Sequence, residues 1–422
     1  MYAGLDFGTS NCLIGIWEGN APSLLPLEGQ SKRLPSALYT SRDNDNQTIS
    51  EALLSDTETA FGEAAILRHI EDSQSGYFIK SPKSFLGADI RKNQLQMFTE
   101  IITRMMLHIK HNAENATHFD INDIVIGRPV NFHGTRGEAG NRQAIDVLEK
   151  SARAAGYKNI EFLMEPLGAA LDFERSLSKD VTVLVLDAGG GTTDCSMVKL
   201  GPSYIKREDR TGSILGHSGD RVGGTDLDIK LAVQKIMPYF GKDSLLKSGL
   251  PIPVTLFWDA MTINDVNTQT EFLSPRTQRE ITAYLAQAVD KEKFQRFQFL
   301  QEERLMYQLN RSAELAKIGL SENDTINLPL NYIEDDLAIP VARNDLRESI
   351  ERELEVFIAL MKEVENQAAT KPDLIYVTGG TAKSPVIEDW IRMNYGDIEI
   401  VVGDAFGSVV SGLTTWAHRI YR

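Results

Sequence analysis

Asp187-Ala-Gly-Gly-Gly-Thr-Thr-Asp194 is the stretch on which the reading of this chain turns. Gly189, Gly190 and Gly191 carry no Cβ, so their backbone N–H groups can approach phosphate oxygens closely, and Thr192 and Thr193 add hydroxyls. The aspartates at both ends would repel bare phosphate. They become intelligible if Mg²⁺ stands between, because that ion keeps waters that carboxylates can hold. A tight glycine hairpin capped by aspartate is the plainer alternative for this stretch alone. A second copy argues for phosphate: Leu5-Asp-Phe-Gly-Thr-Ser-Asn-Cys12 precedes it by about 180 positions. With two extra glycines allowed in the later copy, Asp6 aligns with Asp187, Thr9 with Thr192, Ser10 with Thr193, Asn11 with Asp194 and Cys12 with Cys195. Each copy runs from an apolar segment (2–5; 181–186) through a Gly/Thr turn into β-prone residues (12–17; 195–200), the pattern of strand, turn, strand.

Working outward, further short strands are expected at 123–127, 374–377 and 398–402, and helices at 142–155, 167–175, 301–320, 345–366 and 407–420. Alternation of strands and helices gives an α/β fold class. Two stretches look peripheral and read as insertions: 36–117, which begins with a polar loop, and 229–322, which holds a proline-bearing segment and a long charged helix. The 422 residues allow two to four domains at roughly 100–200 residues each. Lys plus Arg number 44 against 59 Asp plus Glu, a formal net charge of −15, so a nonspecific grip on nucleic acid or an anionic membrane is disfavoured. Cys12 and Cys195 are the only cysteines, too few for a disulfide framework or a cysteine-rich zinc site. No opening signal segment and no run of about 18 apolar residues occurs, so a cytoplasmic location is expected. Neither G-x-x-x-x-G-K-[S/T] nor G-x-G-x-x-G is present, which leaves the glycines to another kind of phosphate cradle. His108 and His111 lack a third ligand and read as a surface pair, and the Asn-x-Thr sequences at Asn46 and Asn115 read as chance.

The two loops resemble those of the actin, sugar-kinase and heat-shock ATPase superfamily, and most nearly the ATPase domain of DnaK-like seventy-kilodalton heat-shock chaperones. Four more segments carry the resemblance: Met164-Glu-Pro-Leu-Gly-Ala-Ala170, Val222-Gly-Gly-Thr-Asp-Leu-Asp228, Ala313-Glu-Leu-Ala-Lys-Ile-Gly-Leu-Ser321 and Val377-Thr-Gly-Gly-Thr-Ala-Lys-Ser-Pro385. The fold it implies is two actin-like (ribonuclease H-like) lobes, 1–178 with 401–422 and 179–400. Each lobe has an inserted subdomain, and a nucleotide cleft lies between them. The cofactors it implies are ATP/ADP and Mg²⁺. Carried over position by position, Asp6 and Asp187 hold the metal through water. Gly8, Thr9, Ser10, Asn11, Gly189, Gly190, Gly191 and Thr193 serve the phosphates. Gly223, Gly224, Glu314, Lys317, Ser321, Gly379, Gly380 and Lys383 serve the remainder of the nucleotide. Lys83, Glu165, Thr192 and Asp194 take the catalytic places, with Lys80 an alternative to Lys83. Lys383 stands where the family has an arginine, and so lacks guanidinium stacking.

The chain departs from the family in two ways. The apolar-acidic linker, β-rich peptide-binding domain and helical lid of the family are expected to be absent, since 403–412 already resembles the closing helix of the ATPase domain. Asp146 and Glu161 also fall where DnaK-like proteins have basic residues that sense the linker, so a linker peptide is expected to leave turnover unchanged. The expected function is a slow Mg-dependent ATPase acting as a nucleotide-switched accessory chaperone, with partners of the exchange-factor or co-chaperone kind and no nucleic acid or membrane. A small-molecule kinase, an actin-like assembly protein and a nucleotide-binding scaffold without turnover stand as alternatives.

Overall fold

Two sheets of one topology carry the fold. In the computed structural model all residues are described except 45, 56–57, 72–74, 133–135, 175, 206, 208–209, 382 and 404–406. The first sheet has five main strands, Tyr2–Phe7, Asn11–Glu18, Ala21–Leu24, Asp123–Arg128 and Asn159–Met164. The first three meander antiparallel, and the fourth and fifth add in parallel beyond the first, so the spatial order is third, second, first, fourth, fifth. The second sheet repeats this order with Val181–Ala188, Thr193–Leu200, Ile214–Asp220, Leu374–Thr378 and Glu399–Val402. The expected α/β architecture is therefore present as a doubled plan. Its central strands are near-continuous Val, Leu and Ile because both faces are covered.

The described residues form two compact units. One comprises Met1–Gly223, Val356–Lys383 and Ile391–Arg422, and it holds both sheets. Within it, the helices Glu165–Glu174 and Ser408–Tyr421 share an apolar core with both sheets, joining Leu167, Leu171 and Leu413 to Val125 of the first and Val183 and Val185 of the second. These two helices cross on glycines: a Cβ on Gly412 would stand 1.7 Å from the Gly168 carbonyl oxygen. On the other face of the first sheet, Ile101, Ile102 and Met105 of the helix Lys92–Thr117 pack with Leu5 and Ile14. That helix was expected inside a peripheral insertion, but its apolar stripe makes it part of the first sheet's core.

The other unit comprises Gly224–Glu355 and Ser384–Trp390 and is mainly helical, with Phe257, Phe294 and Phe297 fully buried at its centre. Where one helix was expected over 301–320 there are two, Lys291–Glu302 and Met306–Glu322, broken where Arg304 takes a left-handed φ of 55°. The helix expected over 345–366 likewise breaks at Ile350, between Arg343–Ser349 and Glu351–Ala368. Among the described residues no helix is long and apolar enough to cross a membrane.

Candidate functional site

The two Gly-rich turns are one structure made twice. In each, the N–H of the first glycine donates to the carbonyl three residues on: Gly8 to Asn11 at 3.1 Å and Gly189 to Thr192 at 2.9 Å. The loops are therefore Thr9-Ser10 and Gly190-Gly191. Strand register agrees, since Phe7 pairs with Cys12 and Asp6 with Leu13, while Ala188 pairs with Thr193 and Asp187 with Asp194. The repeat is thus ungapped, and the alignment with two extra glycines is corrected. Asn11 matches Thr192, Cys12 matches Thr193, and the counterpart of Asp194 in the first copy is Leu13, so the second turn alone carries the additional carboxylate.

The turns face each other at backbone distance. A Cβ on Gly190 would lie 1.7 Å from Ser10 Oγ, and one on Gly191 would lie 2.8 Å from Thr9 Cγ2. Gly223 closes the arrangement, since its Cβ would sit 2.5 Å from the Gly191 nitrogen. Among the described residues, the N–H groups of Thr9, Ser10, Gly190 and Gly191 have no hydrogen-bond partner in the protein. Four unpaired donors on two facing turns are available to an anion. Thr193, expected beside them, is fully buried behind the turn, and its hydroxyl donates to the Val222 carbonyl at 2.7 Å.

Acidic groups gather beside these turns. Burial first, then the charges of Glu165 and Asp187, push Asp6 up to about 8, although Lys83 pulls the other way. Burial, then Glu165 and Asp194, raise Asp187 to about 7. Burial and then Glu165 raise Asp194 to about 7 against the pull of Lys83 and a hydrogen bond from Thr192. Lys83 Nζ reaches Glu165 Oε1 at 2.5 Å and is only 5% exposed. Burial, the largest influence on it, lowers its pKa, but Glu165 and Asp6 outweigh this and hold it above the usual lysine value. The segment enters through Ser81, left-handed at φ 57°, whose N–H donates to the Ser36 carbonyl at 2.8 Å before Pro82 turns Lys83 inward. Lys80 ends the preceding strand Gly76–Lys80.

Four carboxylates facing one ammonium make a donor set suited to a divalent cation, which would relieve the repulsion that adds to burial in raising three of them. Among the described residues no three His, Cys, Asp or Glu side chains are placed to bind a metal directly.

The remaining sequence-derived residues fall into two groups. Gly379 (φ 92°) follows the strand Leu374–Thr378, and a Cβ there would meet the Ala188 carbonyl oxygen at 2.4 Å, so it is packed on the second turn. Gly380 and Lys383 nearby are exposed, and residue 382 of that motif lies outside the described residues, as do 404–406 of the closing segment. In the helical unit, Lys317 Nζ pairs with buried Asp228 at 2.7 Å and donates to the Gly224 carbonyl at 2.9 Å. Glu314 pairs with Arg311 at 2.7 Å, and Ser321 lies about two turns further along the same helix. Two residues that hold the turns, Ser36 and Thr381, were not identified from the sequence. Ser36 Oγ donates to the Gly8 carbonyl at 2.7 Å, and Thr381 Oγ1 donates to the Gly189 carbonyl at 3.1 Å. A signal existed for Thr381 alone, which lies inside the 377–385 motif.

Residues 2–246 match the family model described as Hsp70 protein. The chain is also 30% identical over 229 residues to the chaperone protein DnaK of Mycoplasmopsis synoviae (strain 53). That alignment covers 53% of this chain and 33% of the relative, so the match spans about a third of that protein's length. The family match takes in Asp6, Lys83, Glu165, both turns and Gly223-Gly224, whereas Glu314, Lys317, Ser321, Gly379, Gly380 and Lys383 lie beyond it.

Proposed function

The chain belongs to the Hsp70 family, and from that premise we propose that it binds ATP with Mg²⁺ and hydrolyses it slowly, as a nucleotide-switched accessory module. The observation that carries this reading is the pair of matching turns, which face one another with four unpaired N–H groups beside Asp6, Asp187, Asp194, Glu165 and one buried lysine. Free donors suit phosphate oxygens, and the carboxylates suit a hydrated cation.

In this reading the N–H groups of Thr9, Ser10, Gly190 and Gly191 hold phosphate oxygens, and Asp6 and Asp187 hold the waters of Mg²⁺. The ion, when bound, supplies neutralisation of phosphate charge. Lys83, fixed by Glu165, places a positive charge where negative charge develops in phosphoryl transfer, and Asp194 with Glu165 orients the attacking water. Glu314, Lys317 and Ser321 are assigned to the nucleoside, as are Gly223, Gly224, Gly379, Gly380 and Lys383. The chain is assigned two lobes, 1–178 with 401–422 and 179–400. Partners are proteins of the exchange-factor or co-chaperone kind, in the cytoplasm.

The test is calorimetric titration of ATP with and without Mg²⁺, joined to phosphate release. Mg²⁺-dependent binding with release of free phosphate supports the reading. Absence of ATP binding at millimolar nucleotide rules it out.

A further inference from the structure

Ser36 and Thr381 occupy equivalent places behind the two turns. Their hydroxyls donate to Gly8 and Gly189, the matching first residues of the ungapped repeat. Both side chains are buried, and both residues come from elsewhere in the chain, 28 and 192 positions away. Each grips its turn a second time through the backbone: Ser36 N–H donates to the Ser10 carbonyl at 2.8 Å, and Thr381 N–H donates to the Ala188 carbonyl at 3.1 Å.

A trans peptide unit holds its C=O and N–H on opposite sides. Anchoring the Gly8 carbonyl to Ser36 therefore aims the next N–H, that of Thr9, away from Ser36. Anchoring the Gly189 carbonyl to Thr381 likewise aims the N–H of Gly190 away from Thr381. These are two of the four unpaired donors. Gly189 and Gly190 have the widest backbone freedom of any residues, so without an anchor this peptide can rotate and withdraw its donor.

We propose that Ser36 and Thr381 are a matched pair of positioning residues that preset the Thr9 and Gly190 N–H groups to receive phosphate oxygens. The proposal rests on the nucleotide reading above and deepens it, since it assigns the pair to the phosphates and not to the nucleoside.

Thr381→Val keeps the side-chain shape and deletes the hydroxyl, whereas Thr381→Ser keeps the hydroxyl. Affinities for ATP with Mg²⁺ and for adenosine are measured by calorimetry on the full chain. Thr381→Val is expected to weaken ATP about tenfold, on the order of one net hydrogen bond, while adenosine changes less than about twofold and Thr381→Ser restores ATP affinity. A Thr381→Val protein that binds ATP like the wild type overturns the proposal, as does one in which ATP and adenosine weaken together. Wild-type protein that binds no ATP defeats the proposed function along with this inference. Wild-type binding with an unresponsive Thr381→Val defeats the inference alone. Should Thr381→Val fail to fold, Ser36→Ala tests the other turn, with the same expected and overturning results.

Discussion

Asp187→Asn should make the ligand-free protein more stable while abolishing its response to Mg-ATP. In the folded chain Asp187 is raised from 3.8 to about 7 by burial, Glu165 and Asp194. Between about pH 4 and 7 the folded state keeps a proton that the unfolded state has lost. Stability therefore falls as pH rises through that window, and the penalty is complete above it. A displacement of this size corresponds to at most about 4 kcal/mol. Asp187 is partly exposed, so solvent screening reduces this, and about 2 kcal/mol is expected from removing the charge. Thermal unfolding followed by circular dichroism, without nucleotide or divalent ion, should show the variant melting a few degrees higher than wild type at pH 8. At pH 5 the advantage should shrink to less than half, because there wild-type Asp187 is mostly protonated when folded. With Mg-ATP added the order should reverse, as wild type alone gains from the ligand. A variant that melts at or below wild type at pH 8, or whose advantage does not depend on pH, refutes the electrostatic argument.

Lys83→Ala removes the ammonium paired with Glu165 at 2.5 Å, and single-turnover hydrolysis should fall by about 100-fold or more while circular dichroism still shows a folded chain. Arg210→Ala breaks an ion pair with Glu174 in which both side chains are almost wholly buried, and urea denaturation should register a loss of about 3–5 kcal/mol. Gly412→Ala drives a methyl group into the Gly168 carbonyl where two helices cross, and should cost about 1–3 kcal/mol by the same measurement.

The turns were legible because glycine, threonine and aspartate leave a local signature, and both copies form the strand, turn, strand that the pattern predicts. The internal alignment was not legible. Matching Thr192 to Thr9 and Cys195 to Cys12 favours a gap, but hairpin register is set by backbone pairing, and Asp187 opposite Asp194 against Asp6 opposite Leu13 removes it. Ser36 and Thr381 escaped notice because their contacts close over 28 and 192 residues, a relation that no local pattern encodes. The strand Asn159–Met164 was missed because its exposed Glu161 interrupts the apolar run, and its partner Asp123–Arg128 supplies what the sequence lacks.

Single-turnover hydrolysis of radiolabelled ATP, run with and without Mg²⁺ and followed to free phosphate, tests the central claim most directly. Slow Mg²⁺-dependent release from wild type, lost in Lys83→Ala and Asp187→Asn, is the predicted result. Tight binding with no phosphate released, or release that survives both substitutions, would contradict the catalytic roles given to these residues.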